Sequence, residues 1–181
     1  METKKILIVV DCQNDFITGA LRNEEAIKVV PNIVRKINEF NGDRVFATQD
    51  THFANYLDTK EGKWLPVIHC IKGTEGWDFE PSVKKALHDA EERTAVTYVE
   101  KFTFGSPDLA RLVSNLSRQG AEIEIVGFCT DICVVSNALL IKSAAYENAD
   151  ISVVESCCAG VTPESHEAAI KTMNMCQIKI I

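Results

Sequence analysis

Cys133 stands where an apolar run (Ile123, Ile125, Val126) stops at Gly127 and a helical spacing of apolar residues begins, through Ile132, Val135, Leu139, Leu140 and Ala144. Thr130 is a good helix N-cap. That predicts Cys133 in the first turn, where free N–H groups and the positive end of the helix dipole favour a thiolate. A thiol so placed is a candidate nucleophile; a cysteine packed as a small apolar residue is the alternative. A nucleophilic thiol needs a proton acceptor and a cation to hold its charge. Asp11, at the end of the apolar run from Ile6 to Val10, is the candidate acceptor, and Lys101 the candidate cation. Each has an ordinary alternative, a capping carboxylate for Asp11 and a solvated surface lysine for Lys101.

A second constellation is metal-like. Asp50-Thr51-His52 places two candidate ligands on alternate residues of an extended segment, hence on one side of it. His69 follows, and Glu61 or Asp58 completes the set. Imidazole mixed with carboxylate suits one divalent ion, whether zinc, iron(II) or manganese. His88 and His166 fall on helical stretches and read as surface or packing residues, and Cys157 and Cys158 read as structural. Phe16, Phe53, Trp64, Phe102 and Phe104 lie near these polar residues in sequence. A flat apolar slot beside a few polar groups would hold an aromatic ring; filling the core is the alternative for each of them.

Positioning such groups requires a scaffold, and the chain alternates strand and helix patterns. Residues 5–10 form a continuous apolar run, as in a strand buried on both faces. Pro31 opens a predicted helix through Ile33, Val34, Ile37 and Phe40, with Gly42 past its end. Further strands are predicted at residues 44–48, 95–99, 151–154 and 178–181, and further helices from Pro81, Ser106-Pro107 and Thr162-Pro163. Residues 51–94 are the least regular stretch, and so long a stretch inside a compact domain is more often functional than idle. Repeated βα units imply a three-layer α/β/α fold, with a mostly parallel, six-stranded sheet covered by helices on both faces. Ligands bind such sheets beyond the carboxyl ends of the strands. Asp11, Asp50, Lys101 and Cys133 all fall at that edge.

The bulk properties narrow the partners. The chain of 181 residues reads as one domain, 1–181, with 46% hydrophobic residues to bury. A net charge of −7 and the lack of a basic stripe argue against nucleic acid. No apolar run near the N-terminus is long enough to span a membrane or form a signal peptide. Seven cysteines, an odd number spread along the chain, suggest free thiols in a reducing compartment. The expectation is a cytoplasmic protein acting on a small molecule.

With these residues in view, the chain resembles the nicotinamidase branch of the isochorismatase-like cysteine hydrolases. The motifs that carry the likeness are Val10-Asp11-Cys12-Gln13-Asn14-Asp15-Phe16, Thr48-Gln49-Asp50-Thr51-His52, His69-Cys70-Ile71-Lys72-Gly73-Thr74, Lys101-Phe102-Thr103-Phe104 and Gly127 to Val134. The resemblance implies a Rossmann-type fold and a catalytic triad of Asp11, Lys101 and Cys133. It implies metal ligands Asp50, His52 and His69, with Glu61 matching a carboxylate seen in some members. A cis peptide would fall at Phe128–Cys129, and the N–H groups of Cys129 and Cys133 would form an oxyanion hole. Phe16, Phe104 and Trp64 become candidates to hold the pyridine ring, whose nitrogen would face the metal. The implied substrate is a small amide, the implied role hydrolysis of nicotinamide in NAD salvage with pyrazinamide as a side substrate, and a homo-oligomer is compatible with the family. The chain departs from the usual aromatic-Pro-Pro-His run, reading Trp64-Leu65-Pro66-Val67-Ile68-His69. A related cysteine amidase acting on another small amide or an N-carbamoyl compound is the nearest alternative reading. A non-catalytic binding module on the same fold is the alternative of another class.

Overall fold

The computed structural model describes residues 3–181. Six strands are β1 (Lys4–Val10), β2 (Arg44–Asp50), β3 (Ala95–Lys101), β4 (Ala121–Phe128), β5 (Ala149–Ala159) and β6 (Lys179–Ile180). All pair in parallel, in the spatial order β3-β2-β1-β4-β5-β6. The five longer helices are α1 (Glu24–Glu39), α2 (Pro81–Ala90), α3 (Pro107–Leu116), α4 (Val135–Ala145) and α5 (Pro163–Met175). The expected three-layer α/β/α fold is the one observed.

The alternation along β1 shows why both sheet faces need cover. Ile6, Ile8 and Val10 pack on the side of α3, α4 and α5, whereas Leu7 and Val9 pack on the side of α1 and α2. Chain order reverses between β1 and β4, which is where such sheets open a ligand crevice. Gly127 allows the two strands to close there. It has φ +120°, and a Cβ on it would lie 2.0 Å from the Val10 carbonyl oxygen.

Three expectations need correction. Pro31 does not open its helix: α1 begins at Glu24, after Asn23, whose side chain accepts from the N–H groups of Glu25 and Ala26. The cap and two acidic residues in the first turn set the start, and Pro31 rides on an exposed interior position. Thr130 is likewise not the cap of its helix. Cys129 takes that place, Thr130–Val134 form a π-helical turn, and the regular α-helix starts only at Val135. The buried face of α4 is Asn137, Ala138, Ile141 and Ala145, not the stripe through Leu140 and Ala144. The sixth strand is short, and Thr162 caps α5 in a capping box with Ser165. No helix among the described residues is long and apolar enough to cross a membrane, and all seven cysteines are free.

Candidate active site

Lys101 ends β3 and is buried, and three groups surround its ammonium. Asp11 Oδ2 lies 2.7 Å away, Asp50 Oδ1 3.1 Å and Cys133 Sγ 3.4 Å. Burial opposes the charge on Lys101, but Asp11, Cys133 and Asp50 together hold it protonated, well above the usual lysine range. Asp11 follows β1 in a left-handed conformation, φ 47°, which aspartate tolerates better than most residues. Its Oδ1 accepts a hydrogen bond from Thr48 Oγ1 at 2.6 Å, and the Asp11 N–H donates back to that hydroxyl at 3.1 Å. Oδ2 has no hydrogen-bond partner beyond the lysine contact. Complete burial raises the Asp11 carboxyl, with Lys101 opposing.

Cys133 lies in the π-helical turn just beyond β4 and is 5% exposed. Burial pushes its thiol up, and the neighbouring Asp11 carboxylate adds to the rise, against the pull of Lys101. A thiolate resting at a helix N-terminus, as its sequence position suggests, is therefore not what this environment favours. Asp11 and Cys133 meet the same ammonium from different sides, at 2.7 and 3.4 Å. Phe128–Cys129 is a cis peptide bond. Thr130 is fully buried, and its hydroxyl meets His166 Nδ1 at 2.8 Å.

The four expected ligand residues converge. One donor atom from each of Asp50, His52, Glu61 and His69 lies within 4.8 Å of the others. Asp58 is exposed and outside this group. His52 Nε2 is buried with no hydrogen-bond partner, although Asp50 Oδ2 is 3.0 Å and Glu61 Oε1 3.5 Å away. Lone pairs gathered at such distances without hydrogen-bond geometry fit a shared cation, and imidazole with carboxylate suits a divalent metal. His69 Nδ1 meets the Val67 carbonyl at 2.8 Å, which makes it the N–H donor and leaves Nε2 its lone pair, 3.5 Å from Asp50 Oδ2. Burial opposes protonation of His52, but in the absence of a metal Asp50 and Glu61 push it up to about 9. Burial would raise Asp50; His52, His69 and Lys101 instead hold it well below the usual range. Asp50 touches both constellations, through Lys101 on one side and His52 and His69 on the other.

Beside these groups opens a cleft of about 1060 Å³, walled by Phe16, Trp64, Leu65, Phe104 and Ile132, with Cys133, Asp50 and His69 at its base. All three candidate ring contacts line it, with unequal exposure: Phe16 is 8% exposed, Phe104 46% and Trp64 92%. Phe53 and Phe102 instead stack on each other outside it, centroids 6.0 Å apart.

The Isochorismatase domain matches residues 5–181. The chain belongs to the isochorismatase family. Within that family it is similar to the nicotinamidase/pyrazinamidase of Mycobacterium tuberculosis, 28% identical over 196 residues and 98% of each chain. A solved nicotinamidase/pyrazinamidase from Bacillus subtilis shares 31% identity over 98% of this chain and 99% of its own, with a TM-score of 0.84. A pyrazinamidase from Pyrococcus horikoshii, solved in complex with zinc, shares 26% identity over 98% of both chains at a TM-score of 0.72.

Several residues at the site of this isochorismatase-family chain escape a reading of the sequence for reactive groups. Gln13 is fully buried and grips the main chain of Asp50 from both sides: Oε1 accepts the Asp50 N–H at 2.7 Å, and Nε2 donates to the Asp50 carbonyl at 2.9 Å. The same Nε2 reaches the Trp77 carbonyl at 2.8 Å. Asp15 accepts the Cys70 N–H at 2.7 Å, next to His69. Gln13 and Asp15 both stand in the first motif, but nothing in their residue type announces that they bond a distant main chain.

Proposed function

We propose that this protein hydrolyses nicotinamide to nicotinate and ammonia, with Cys133 as nucleophile. The observation that supports it best is the contact of one buried ammonium, Lys101, with Asp11, Asp50 and Cys133 at the base of an aromatic-walled cleft. Asp11 takes the Cys133 proton through its carboxylate as the sulfur attacks the carboxamide carbon. The N–H groups of Cys129 and Cys133 receive the developing oxyanion. Asp11 returns the proton to the departing ammonia, leaving a thioester on Cys133. Water then enters and attacks the thioester carbon as Asp11 takes its proton; the C–S bond breaks, Asp11 returns that proton to the sulfur, and nicotinate leaves with its carboxyl proton lost to solvent. Lys101 stays protonated throughout and keeps the carboxylate and sulfur charges adjacent.

Asp50, His52, His69 and Glu61 would hold one divalent metal. When bound it supplies a Lewis acid that fixes the ring nitrogen of the substrate and so orients the amide. Phe16 and Phe104 offer the ring its apolar walls. The relatives named as nicotinamidases and pyrazinamidases, one of them holding zinc, favour this substrate class and a metal of this kind.

The test is ammonia release from nicotinamide by the metal-loaded protein, beside Cys133→Ala and a chelated sample. The wild type releases ammonia, Cys133→Ala loses at least about 10³-fold in kcat, and chelation abolishes most of the rate until metal is returned. Turnover of another amide but not of nicotinamide would retire the substrate and keep the chemistry. Nicotinamide binding with no turnover of any amide would leave a binding module.

A further inference from the structure

The inward face of α4 carries one polar residue, Asn137, fully buried one helical turn after Cys133. A buried amide carries a desolvation cost unless its donors and acceptor are met. Here three bonds meet them, all to main chain, and two reach a different element. Nδ2 donates to the Cys133 carbonyl at 2.8 Å and to the Phe104 carbonyl at 3.1 Å, while Oδ1 accepts the Ser106 N–H at 2.9 Å. Phe104 and Ser106 belong to the segment that leaves Lys101 and leads into α3. No backbone hydrogen bond joins residues 103–106 to α4. The segment nevertheless lies against that helix: a Cβ on Gly105 would come 2.6 Å from Leu140 Cδ1 and 3.1 Å from the Ser136 carbonyl oxygen.

We infer that Asn137 is a positioning residue, clamping the cleft wall at Phe104 to the turn that carries Cys133. The inference rests on the amide-hydrolase reading given above. Lys101 meets the sulfur directly, but Phe104 lies three residues further along an irregular segment. Asn137 is the group that carries the register of the nucleophile to that wall. A substrate ring resting on Phe104 then presents its carboxamide carbon at a fixed place relative to Cys133 Sγ. Without the clamp, wall and nucleophile move separately. A misplacement of about 1 Å at a reacting centre costs on the order of 10²-fold in rate.

Two variants test this. Asn137→Asp keeps the acceptor for Ser106 and removes both donated bonds; Asn137→Leu removes all three at similar volume. Ser117→Ala serves as the control, because Ser117 is equally buried and donates to the Val113 carbonyl at 2.8 Å, at the far end of α3. Thermal midpoints, kcat and KM on nicotinamide with metal-loaded protein, nicotinate affinity, and the rate of Cys133 alkylation by iodoacetamide without substrate are measured on each. All three variants melt earlier than wild type. Only the Asn137 variants lose about tenfold or more in kcat/KM, shared between a higher KM and a lower kcat, and bind nicotinate more weakly. Their Cys133 alkylation rates also depart from wild type, whereas that of Ser117→Ala does not. Asn137→Asp with kcat/KM and alkylation within about threefold of wild type would overturn the inference. If the wild type leaves nicotinamide intact, the functional reading fails by itself, and the alkylation comparison still decides the clamp.

Discussion

The cleft is built from two regions held in different ways. Asp11, Lys101 and Cys133 stand at or just past the ends of β1, β3 and β4, and parallel ladders fix the strands beneath them residue by residue. His52, Glu61, His69 and Trp64 come from residues 51–80, which add no strand to the sheet: bridges there are isolated, at His52 and Phe79, and main-chain bonds to neighbouring chain are scattered, as from the Thr51 N–H to the Lys101 carbonyl at 2.9 Å and from the Asp15 N–H to the Gly76 carbonyl at 3.0 Å. Single side-chain contacts add to these scattered bonds. Gln13 grips Asp50 and Trp77, Asp15 holds the Cys70 N–H, and the Trp77 indole donates to Thr51 at 2.9 Å. A sheet positions its strand ends through many redundant bonds. An irregular segment depends on a few, so one substitution there should disturb the site without unfolding the scaffold.

Asp50 is where the regions meet, so Asp50→Asn gives the largest expected effect and the sharpest test of their coupling. Its two oxygens face Lys101 on one side and His52 and His69 on the other. Loss of the charge removes a proposed ligand and one of two carboxylates that hold the lysine. Zinc affinity by calorimetric titration falls by at least about 10²-fold, and kcat/KM falls further than chelation alone explains. If the chelated wild type and Asp50→Asn have equal residual rates, the two constellations act independently and the bridge at Asp50 carries no catalytic weight.

Gln13→Leu is expected to act on one region only. It strips three hydrogen bonds from main chain around Asp50 and Trp77 while leaving the sheet register untouched. Metal affinity drops about 10–100-fold and stability falls by roughly 1–3 kcal/mol, the cost of leaving buried groups unpaired. Iodoacetamide alkylation of Cys133 stays within about threefold of wild type, because the ladders under Asp11 and Cys133 do not pass through Gln13. A matching collapse of thiol reactivity would mean that the two regions are one mechanical unit, and the contrast drawn above would fail.

The same contrast governs what the amino-acid sequence discloses. Strand ends are legible because burial on both faces leaves a continuous apolar run, and the first polar residue after it marks the edge of the sheet. Asp11 follows that rule directly, Lys101 lies one residue beyond Glu100, and Cys133 is legible from the switch to helical spacing after Gly127. The start of α1 is hidden in the sequence because Pro31 is a stronger punctuation mark than Asn23, although the Asn23 cap decides the geometry. The π-helical turn at Thr130 has no signature in residue type, and it moved the cap to Cys129 and the buried face of α4 to Asn137. Gln13, Asp15 and Asn137 act through bonds to distant main chain, and a linear pattern of residue types does not encode such partners. Their roles appear only once the chain is folded.

Trp64 supplies the smallest effect, and its smallness is informative. The ring is 92% exposed although it lines the cleft, whereas Phe16 is 8% exposed and meets His69 edge-on with centroids 5.7 Å apart. The turn that carries Trp64 is anchored. Thr59 caps it through the Gly62 N–H at 3.0 Å, and the Tyr56 hydroxyl donates to the Leu65 carbonyl at 2.9 Å. A Cβ on Gly62 would lie 2.1 Å from the Tyr56 carbonyl oxygen, so the turn is also tightly packed from below. An anchored ring that already faces water has little apolar contact to lose, and the longer spacing to His69 keeps it at the rim. Trp64→Ala should therefore raise KM for nicotinamide by less than about twofold with kcat unchanged, below the ~0.5–1.5 kcal/mol typical of a close aromatic pair. Phe16→Ala, measured beside it, should cost more, because its ring is packed where the metal ligands and the aromatic slot join. A rise in KM above tenfold for Trp64→Ala would show that the indole folds down onto the bound ring. The turn at residues 59–65 would then have to yield against its own cap on binding.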